Sequence, residues 1–317
     1  MTEEFFADEE GALDEVAAAE WGFLTIGQVR RHIEAGVITL NGRRAGRSDR
    51  VAPGDLIALE RDDDGEGEIA PVASALTVIY DDAALIAVDK PAGVPVVPER
   101  GSSEWRFMGM LLYHAGTCPL CAGVRFRVVH RLDRDTSGVV VLAKTVEAGR
   151  ALGELFAGRQ VQKRYLAVVR GEAAGDGGTI DAPVGPSGRR GPLMAVGQSG
   201  KRSVTEWRVL ERFRGFTFVE VFPHTGRTHQ IRVHLAYAGM PLAVDEMYGG
   251  GRALLLSDLK RAYKHKGQER PLIDRLTLHC AGLEFAHPAG GQTLTLVAEP
   301  PEDFSNALKA LRKWAAR

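Results

Sequence analysis

Apolar runs that read as strands alternate along the chain with stretches of helical spacing. Val128-Val129 and Val139-Val140-Val141-Leu142 are β-branched runs of the kind that form buried strands. Further strands are predicted at 76–80, 85–88, 161–169, 203–213, 216–222 and 293–297, with 240–248 and 276–285 leading into the last of them. In 161–169 the alternation places Lys163, Tyr165 and Ala167 on one face and Arg164, Leu166 and Val168 on the other. Helical spacing occurs at Ile26, Val29, Ile33 and Val37, and again at Trp105, Met108, Leu111 and Leu112 within 104–114. It recurs at Val146, Leu152, Leu155 and Phe156 in 146–158, and from Thr225 to about residue 238. A last helix follows Pro300-Pro301.

The two β-branched runs enclose a polar knot, His130-Arg131-Leu132-Asp133-Arg134-Asp135-Thr136-Ser137-Gly138. A charged loop between buried strands is one way to build a site on a rigid scaffold. From spacing alone, a solvated turn is an equally good reading.

Length and composition add bounds. A chain of 317 residues holds one large or two modest domains, and 44% apolar with 26% charged residues is ordinary for a soluble globular protein. No apolar run is long enough to span a bilayer, and the acidic N-terminus is not a secretory signal. Three cysteines argue against a disulfide framework and for a reducing compartment, so the cytoplasm is expected. The net charge of −1 conceals an asymmetry, because residues 1–20 hold eight acidic residues and no Lys or Arg. Removing those eight negative charges leaves +7 on the rest. The basic residues cluster at 30–50, 125–134, 159–164, 189–190, 201–202 and 260–270, the footprint of a polyanion partner.

Composition also divides the chain. Residues 1–20 read as a short helix or a disordered acidic segment. Residues 21–60 form a small unit: a helix, a strand at 37–40, the hairpin turn Asn41-Gly42, and a turn plus strand at 51–59. Residues 61–75, with Asp62-Asp63-Asp64-Gly65-Glu66-Gly67-Glu68, read as a flexible linker. Residues 76–317 form the large domain. Within it, 176–200 is rich in Gly and Pro, carries Arg189-Arg190, and reads as a long hairpin or loop.

His-Arg-Leu-Asp-x-x-Thr-Ser-Gly at 130–138 resembles the signature of the RluA-type pseudouridine synthases. Three further stretches match in order: Leu85-Ile86-Ala87-Val88-Asp89-Lys90-Pro91-Ala92-Gly93, Lys163-Arg164-Tyr165-Leu166-Ala167, and Thr225-Gly226-Arg227-Thr228-His229-Gln230-Ile231-Arg232-Val233-His234. The likeness covers roughly residues 76–304. Residues 30–59 resemble an S4 RNA-binding domain, with Gly-Val-Ile-Thr-Leu-Asn-Gly-Arg and Val-Ala-Pro-Gly-Asp in place. Trp21-Gly22-Phe23-Leu24 stands where that family opens with Arg-Leu-Asp.

The resemblance implies an α+β catalytic domain with a mixed, mostly antiparallel central sheet and flanking helices, plus a small α/β S4-like domain. It implies isomerisation of uridine to pseudouridine in RNA, with 23S ribosomal RNA as the expected substrate and tRNA as the alternative. A non-catalytic RNA-binding or folding factor is the rival from another class. By resemblance Asp133 is the catalytic carboxylate, Arg232 is the cation that pairs with it, and Tyr165 stacks on the uracil. A planar guanidinium suits a fixed contact to a carboxylate. Arg131 is expected to fill the space of the flipped base or to bind a neighbouring phosphate. Arg227, His229 and Gln230 are further candidate RNA contacts, and Arg30, Arg31, Arg43 and Arg44 would sit on phosphates. His130 and Asp135 read as loop-orienting groups.

Cys118-Pro119-Leu120-Cys121 invites a zinc reading, since two thiolates make half of a tetrahedral site. Only Cys280, His114 and His279 offer themselves as partners, and ordinary loop cysteines are the preferred reading. No metal and no cofactor are expected. The partner is RNA, no membrane is involved, and the chain is expected to act as a monomer.

Overall fold

Adjacent residues of a strand point to opposite faces, and Phe5 and Phe6 use this to join two hydrophobic cores. Both lie in β1 (Thr2–Phe6) of the computed structural model, which describes residues 2–7, 9–21, 24–60, 69–74, 76–97, 106–121, 123–188, 193–261, 263–264 and 267–317. Phe5 packs edge-to-face on Trp21, ring centroids 5.3 Å apart, in the core of the first sixty residues. Phe6 enters the larger core, its ring against Gly149. The strand pairs antiparallel with β6 (Leu56–Glu60) and, through Phe5 and Val128, parallel with β9 (Arg127–Val128).

The acidic first twenty residues are therefore part of the folded body: a short helix is present, as one reading of them expects, but it is preceded by a paired strand and the segment is not a disordered one. Their alternating apolar positions are too few to signal a strand, and only the pairing partners define it. They continue through β2 (Gly11–Ala12) into α1 (Leu13–Trp21), whose Leu13, Val16 and Ala17 are buried. α2 (Ile26–Glu34) starts at a capping box in which Thr25 and Gln28 satisfy each other's backbone N–H groups. Val29 and Ile33 face the core as expected, whereas Ile26, in the first turn, is 41% exposed. β3 (Ile38–Leu40) and β4 (Arg43–Arg44) are joined by Asn41-Gly42, with φ of 50° and 80°, as the hairpin turn requires. β5 (Arg50–Val51) pairs with β2.

The larger part opens with β7 (Thr77–Asp81), β8 (Leu85–Lys90) and α3 (Arg106–Ala115). Then come β10 (Ser137–Ala143), α4 (Val146–Ala157) and β11 (Gln162–Arg170). The hairpin region holds β12 (Gly177–Asp181), β13 (Val184–Pro186) and β14 (Met194–Val196). β15 (Val204–Phe213), β16 (Phe216–Pro223), α5 (Gln230–Tyr237) and α6 (Leu256–Leu259) follow. β17 (Leu278–Ala286), β18 (Thr293–Val297) and α7 (Glu302–Trp314) complete the chain. The main sheet runs β12-β15-β16-β11-β17-β10-β9-β1-β6-β3-β4, with β8 on the other edge of β10, β7 beyond it, and β18 beside β17. Pairing is antiparallel except between β10 and β17 and between β1 and β9, so the expected mixed, mostly antiparallel sheet with flanking helices is present.

All seven residues of β10 are buried, which matches its unbroken apolar sequence. Gly138 at its start has φ 118°, and a Cβ there would lie 2.1 Å from the Cys280 carbonyl oxygen, so only glycine lets β10 meet β17. α3 buries Phe107, Met110 and Leu111 rather than the stripe through Met108 and Leu112, because residues 69–74 lie along it, Val72 N–H donating to Gly109 O at 2.8 Å. That part of the expected linker is thus packed. Asp62 to Glu68, Trp105, Arg189-Arg190 and Gly22-Phe23 lie outside the described residues. No helix among the described residues is long and apolar enough to cross a membrane.

Candidate active site

The polar knot is held from three sides. Lys90, at the end of β8 and fully buried, donates to the carbonyls of Pro91 (2.9 Å), Val94 (2.7 Å) and Arg134 (3.0 Å). One ammonium thus ties the Pro91–Gly93 turn to the loop that carries Asp133. Burial lowers the Lys90 pKa to about 7, against the pull of Asp135 and Asp133. From below, Ser137 Oγ and His279 Nδ1 are hydrogen-bonded at 2.9 Å, and His279 Nε2 lies 3.0 Å from Ala298 O. His130 stacks on Phe156 and accepts the Val141 N–H at 2.9 Å. Burial, with help from the Lys163 charge, lowers its pKa to about 3, so it is a neutral acceptor that orients the loop.

On this scaffold Asp133 stands 26% exposed, open to a ligand yet fixed. Its Oδ2 accepts from Arg232 Nη1 at 3.0 Å. Arg232 reaches it from α5, which begins at Gln230 rather than at the expected Thr225. The preceding residues form a turn in which His229 takes the left-handed conformation, φ 55°. That turn brings His229 Nε2 to 4.0 Å from Asp133 Oδ1. Burial lowers the His229 pKa, opposed by Asp133, so the ring is neutral there and no ion pair forms. Its Nδ1 is 2.7 Å from the Tyr248 hydroxyl.

Asp245 is the residue that sequence reasoning missed. It lies 1% exposed and grips Arg232 on two sides, Nε to Oδ2 at 2.8 Å and Nη2 to Oδ1 at 3.0 Å. The Arg232 guanidinium also lies 4.9 Å from the Tyr248 ring centroid. Burial opposes the Arg232 charge, but the bonds to Asp245 and the field of Asp133 outweigh it and raise the pKa. Nothing in the Val244-Asp245-Glu246 spacing marks this acid; only the fold sets it behind Arg232.

Tyr165 sits on β11 at a bulge against β17, where the register shifts between Arg164 and Tyr165. The bulge re-aims one side chain without ending the strand. Cys280 lies opposite both Tyr165 and Gly138, so β17 carries the tyrosine strand beside the strand that leaves the Asp133 loop. Burial, contact with Cys280 and the Asp133 charge all raise the Tyr165 pKa, which keeps it a neutral phenol.

The expected RNA contacts divide. Gln230 is 4% exposed and is spent internally: its Oε1 accepts from Thr225 Oγ1 and the Arg227 N–H, and its Nε2 donates to Val204 O and Thr205 Oγ1. It holds the α5 turn and does not face a ligand, because a buried amide must satisfy its own polar atoms. Arg131 is tied to the first helix. Its guanidinium donates to Glu20 O at 2.5 Å and Ala19 O at 3.1 Å, the carbonyl end of α1. Arg227 Nη1 binds Glu9 Oε2 at 2.5 Å, and Lys201 pairs with the same carboxylate. On the small unit Arg30, Arg31, Arg43 and Arg44 are exposed; Arg30 bonds Asp14 at 2.6 Å and Arg43 bonds Asp49 at 2.8 Å. The suggested zinc partners His279 and Cys280 are built into the site just described and lie apart from Cys118 and Cys121.

Residues 84–237 match a family model described as RNA pseudouridylate synthase. The chain is 40% identical over 285 residues to a protein of Xanthomonas campestris pv. campestris named ribosomal large subunit pseudouridine synthase D, covering 90% of this chain and 84% of that one. It is 38% identical over 302 residues to a protein of the same name from Pseudomonas aeruginosa, covering 95% and 92%. The solved structure of human RNA pseudouridylate synthase domain containing 4 superposes with a TM-score of 0.57 at 27% identity, over 74% of this chain and 93% of that one.

Proposed function

The chain belongs to the RNA pseudouridylate synthase family, and from that premise we propose that it isomerises uridine in large-subunit ribosomal RNA with Asp133 as the acting carboxylate. The enzyme is an isomerase. The C1′–N1 bond of a uridine breaks, the uracil turns and C1′ bonds to C5; C5 then loses its proton and N1 gains one, so the product is an isomer of the substrate. No redox partner is needed.

The observation that carries the residue assignment is the one-sided pairing of Asp133. Arg232 occupies Oδ2 at 3.0 Å, while Oδ1 faces only His229 at 4.0 Å among the described residues. A carboxylate held by one oxygen and open at the other can add to C1′ or take the C2′ proton. Tyr165 offers its ring to the flipped uracil. As a neutral phenol it is a weak proton acceptor, so its first contribution is to place the base. Flipping costs a few kcal/mol, which contacts to the base and phosphates offset.

The ribosomal substrate rests on the names of the relatives at 40% and 38% identity. It rests also on the small unit, read as S4-like, with Arg30, Arg31, Arg43 and Arg44 toward phosphates. We propose further that the enzyme acts as a cytoplasmic monomer. A pseudouridine map of total RNA from cells with and without the gene, complemented by wild type or Asp133→Ala, tests the whole reading. Signal lost at ribosomal positions and restored only by wild type is expected. Loss at tRNA positions would keep the chemistry and overturn the substrate. An unchanged map would bring the binding-factor reading forward.

A further inference from the structure

Outside the active site, Asp81, His114, Cys118 and Cys121 converge on one point. Asp81 ends β7, His114 lies in the last turn of α3, Cys118 precedes the short 3-10 turn Pro119–Cys121 and Cys121 ends it. One ring nitrogen, two sulfurs and one carboxylate oxygen all lie within 4.8 Å of one another. We propose that these four residues bind a structural zinc ion.

The geometry suits that ion. Cys118 Sγ and Cys121 Sγ each lie 3.5 Å from Asp81 Oδ2. A tetrahedral zinc with bonds of about 2.3 Å to sulfur and about 2.0 Å to oxygen has a sulfur–oxygen edge of about 3.5 Å. The Cys-x-x-Cys turn is already folded back, with Cys121 N–H donating to Cys118 O at 3.0 Å. His114 Nε2 is buried and has no hydrogen-bond partner among the described residues. A buried ring nitrogen without a partner is costly, and a metal ion would satisfy it.

Charge agrees with geometry. Two thiolates, a carboxylate and Zn²⁺ together carry one negative charge. Lys144, its side chain 1% exposed, pairs with Asp81 and cancels that charge. Its ammonium also donates to Asp82 O at 2.7 Å and Leu120 O at 3.2 Å, which fixes it beside the ligands from outside. The soft sulfur pair favours zinc over calcium or magnesium. The ion would staple the segment after α3 to the β7–β8 edge, just upstream of β9 and the Asp133 loop. It would take no part in the isomerisation.

The test uses the untagged full-length chain, supplied with zinc and then dialysed against metal-free buffer. About one zinc per chain is expected by elemental analysis. Cobalt(II) in its place should give the intense visible bands of a tetrahedral site with a sulfur-to-metal charge-transfer band. Cys118→Ser with Cys121→Ser should abolish both signals, and His114→Gln should weaken binding at least tenfold. A folded wild-type chain that retains no zinc, or whose cobalt spectrum lacks the charge-transfer band, overturns the proposal. So does a double variant that binds as much as wild type. If the double variant does not fold, the wild-type stoichiometry and cobalt spectrum decide alone.

Discussion

Arg232 and Arg227 lie five residues apart in one stretch of sequence, yet the fold treats them as opposites. Arg232 is 7% exposed on its side chain and is clamped by Asp245 behind and Asp133 in front. Arg227 is 24% exposed and leans on Glu9, which comes from the acidic first segment and also holds Lys201. The first pair is desolvated and supported by its neighbours, so it acts as fixed machinery. The second is an ion pair at the rim, which phosphate groups can replace at small cost. Arg131 follows the rim pattern, tied to the end of α1. The acidic first segment thus pairs with basic residues proposed to contact RNA, whereas among the described residues no cation is paired with the second oxygen of Asp133.

The largest effect should come from the open carboxylate. Asp133→Ala should lower single-turnover activity by at least about a thousandfold. Its melting temperature should stay close to wild type, because Arg232 keeps its two bonds to Asp245. Residual activity within tenfold of wild type would remove Asp133 from the chemistry.

Asp245→Asn comes next. It leaves a buried guanidinium short of one charge, which costs about 3–5 kcal/mol in such settings. Activity should fall about a hundredfold through misplacement of Arg232. Urea unfolding and single-turnover kinetics measured together would sharpen the contrast; a variant as stable and active as wild type would mean the clamp is no more than a rim pair.

Lys90 gives a pH signature. Burial lowers its folded pKa to about 7 from 10.5. Between those values the unfolded chain binds a proton that the folded chain has released, so unfolding free energy rises with pH across the window. The rise is at most about 1.4 kcal/mol per pH unit. Lys90→Met removes the titrating group. Plotted against pH, wild-type stability should climb relative to the variant from about 7 upward, and parallel curves would show that the ammonium is not buried.

The smallest effects belong to the rim. Arg227→Ala should weaken RNA binding a few-fold and reduce the salt slope by about 1. Glu9→Gln should tighten binding a few-fold, because it frees Arg227 and Lys201. If Glu9→Gln leaves binding and its salt slope unchanged, the acidic segment does not compete with RNA.

Much of this molecule could be read from its residues. The unbroken run from Val139 to Leu142 had to be a strand buried on both faces, and β10 is one. Asn41-Gly42 had to turn, and alternation set Lys163, Tyr165 and Ala167 on one face. Asp133 and Arg232 were paired through resemblance alone, since 99 residues separate them and no local pattern links them. Where local reasoning failed, the deciding partner was distant. Gln230 looked like a ligand contact because a polar residue on a helix gives no sign of what packs around it. The sequence offers His114 as one of three partners for the cysteines, while Asp81 comes beside them only through the fold.

The sequence by itself determined the strands and turns, the uneven charge of the two ends, and the motif that marks the Asp133 loop. These depend on periodicity and residue type, which act over a few residues. Tertiary structure alone decided that Asp245 stands behind Arg232, that Lys90 ties two loops together, and that the first strand joins two cores. It also decided which of the basic residues are already paired with acids. Each of those depends on desolvation and on contacts between groups far apart in the chain, and neither exists until the chain has closed around them.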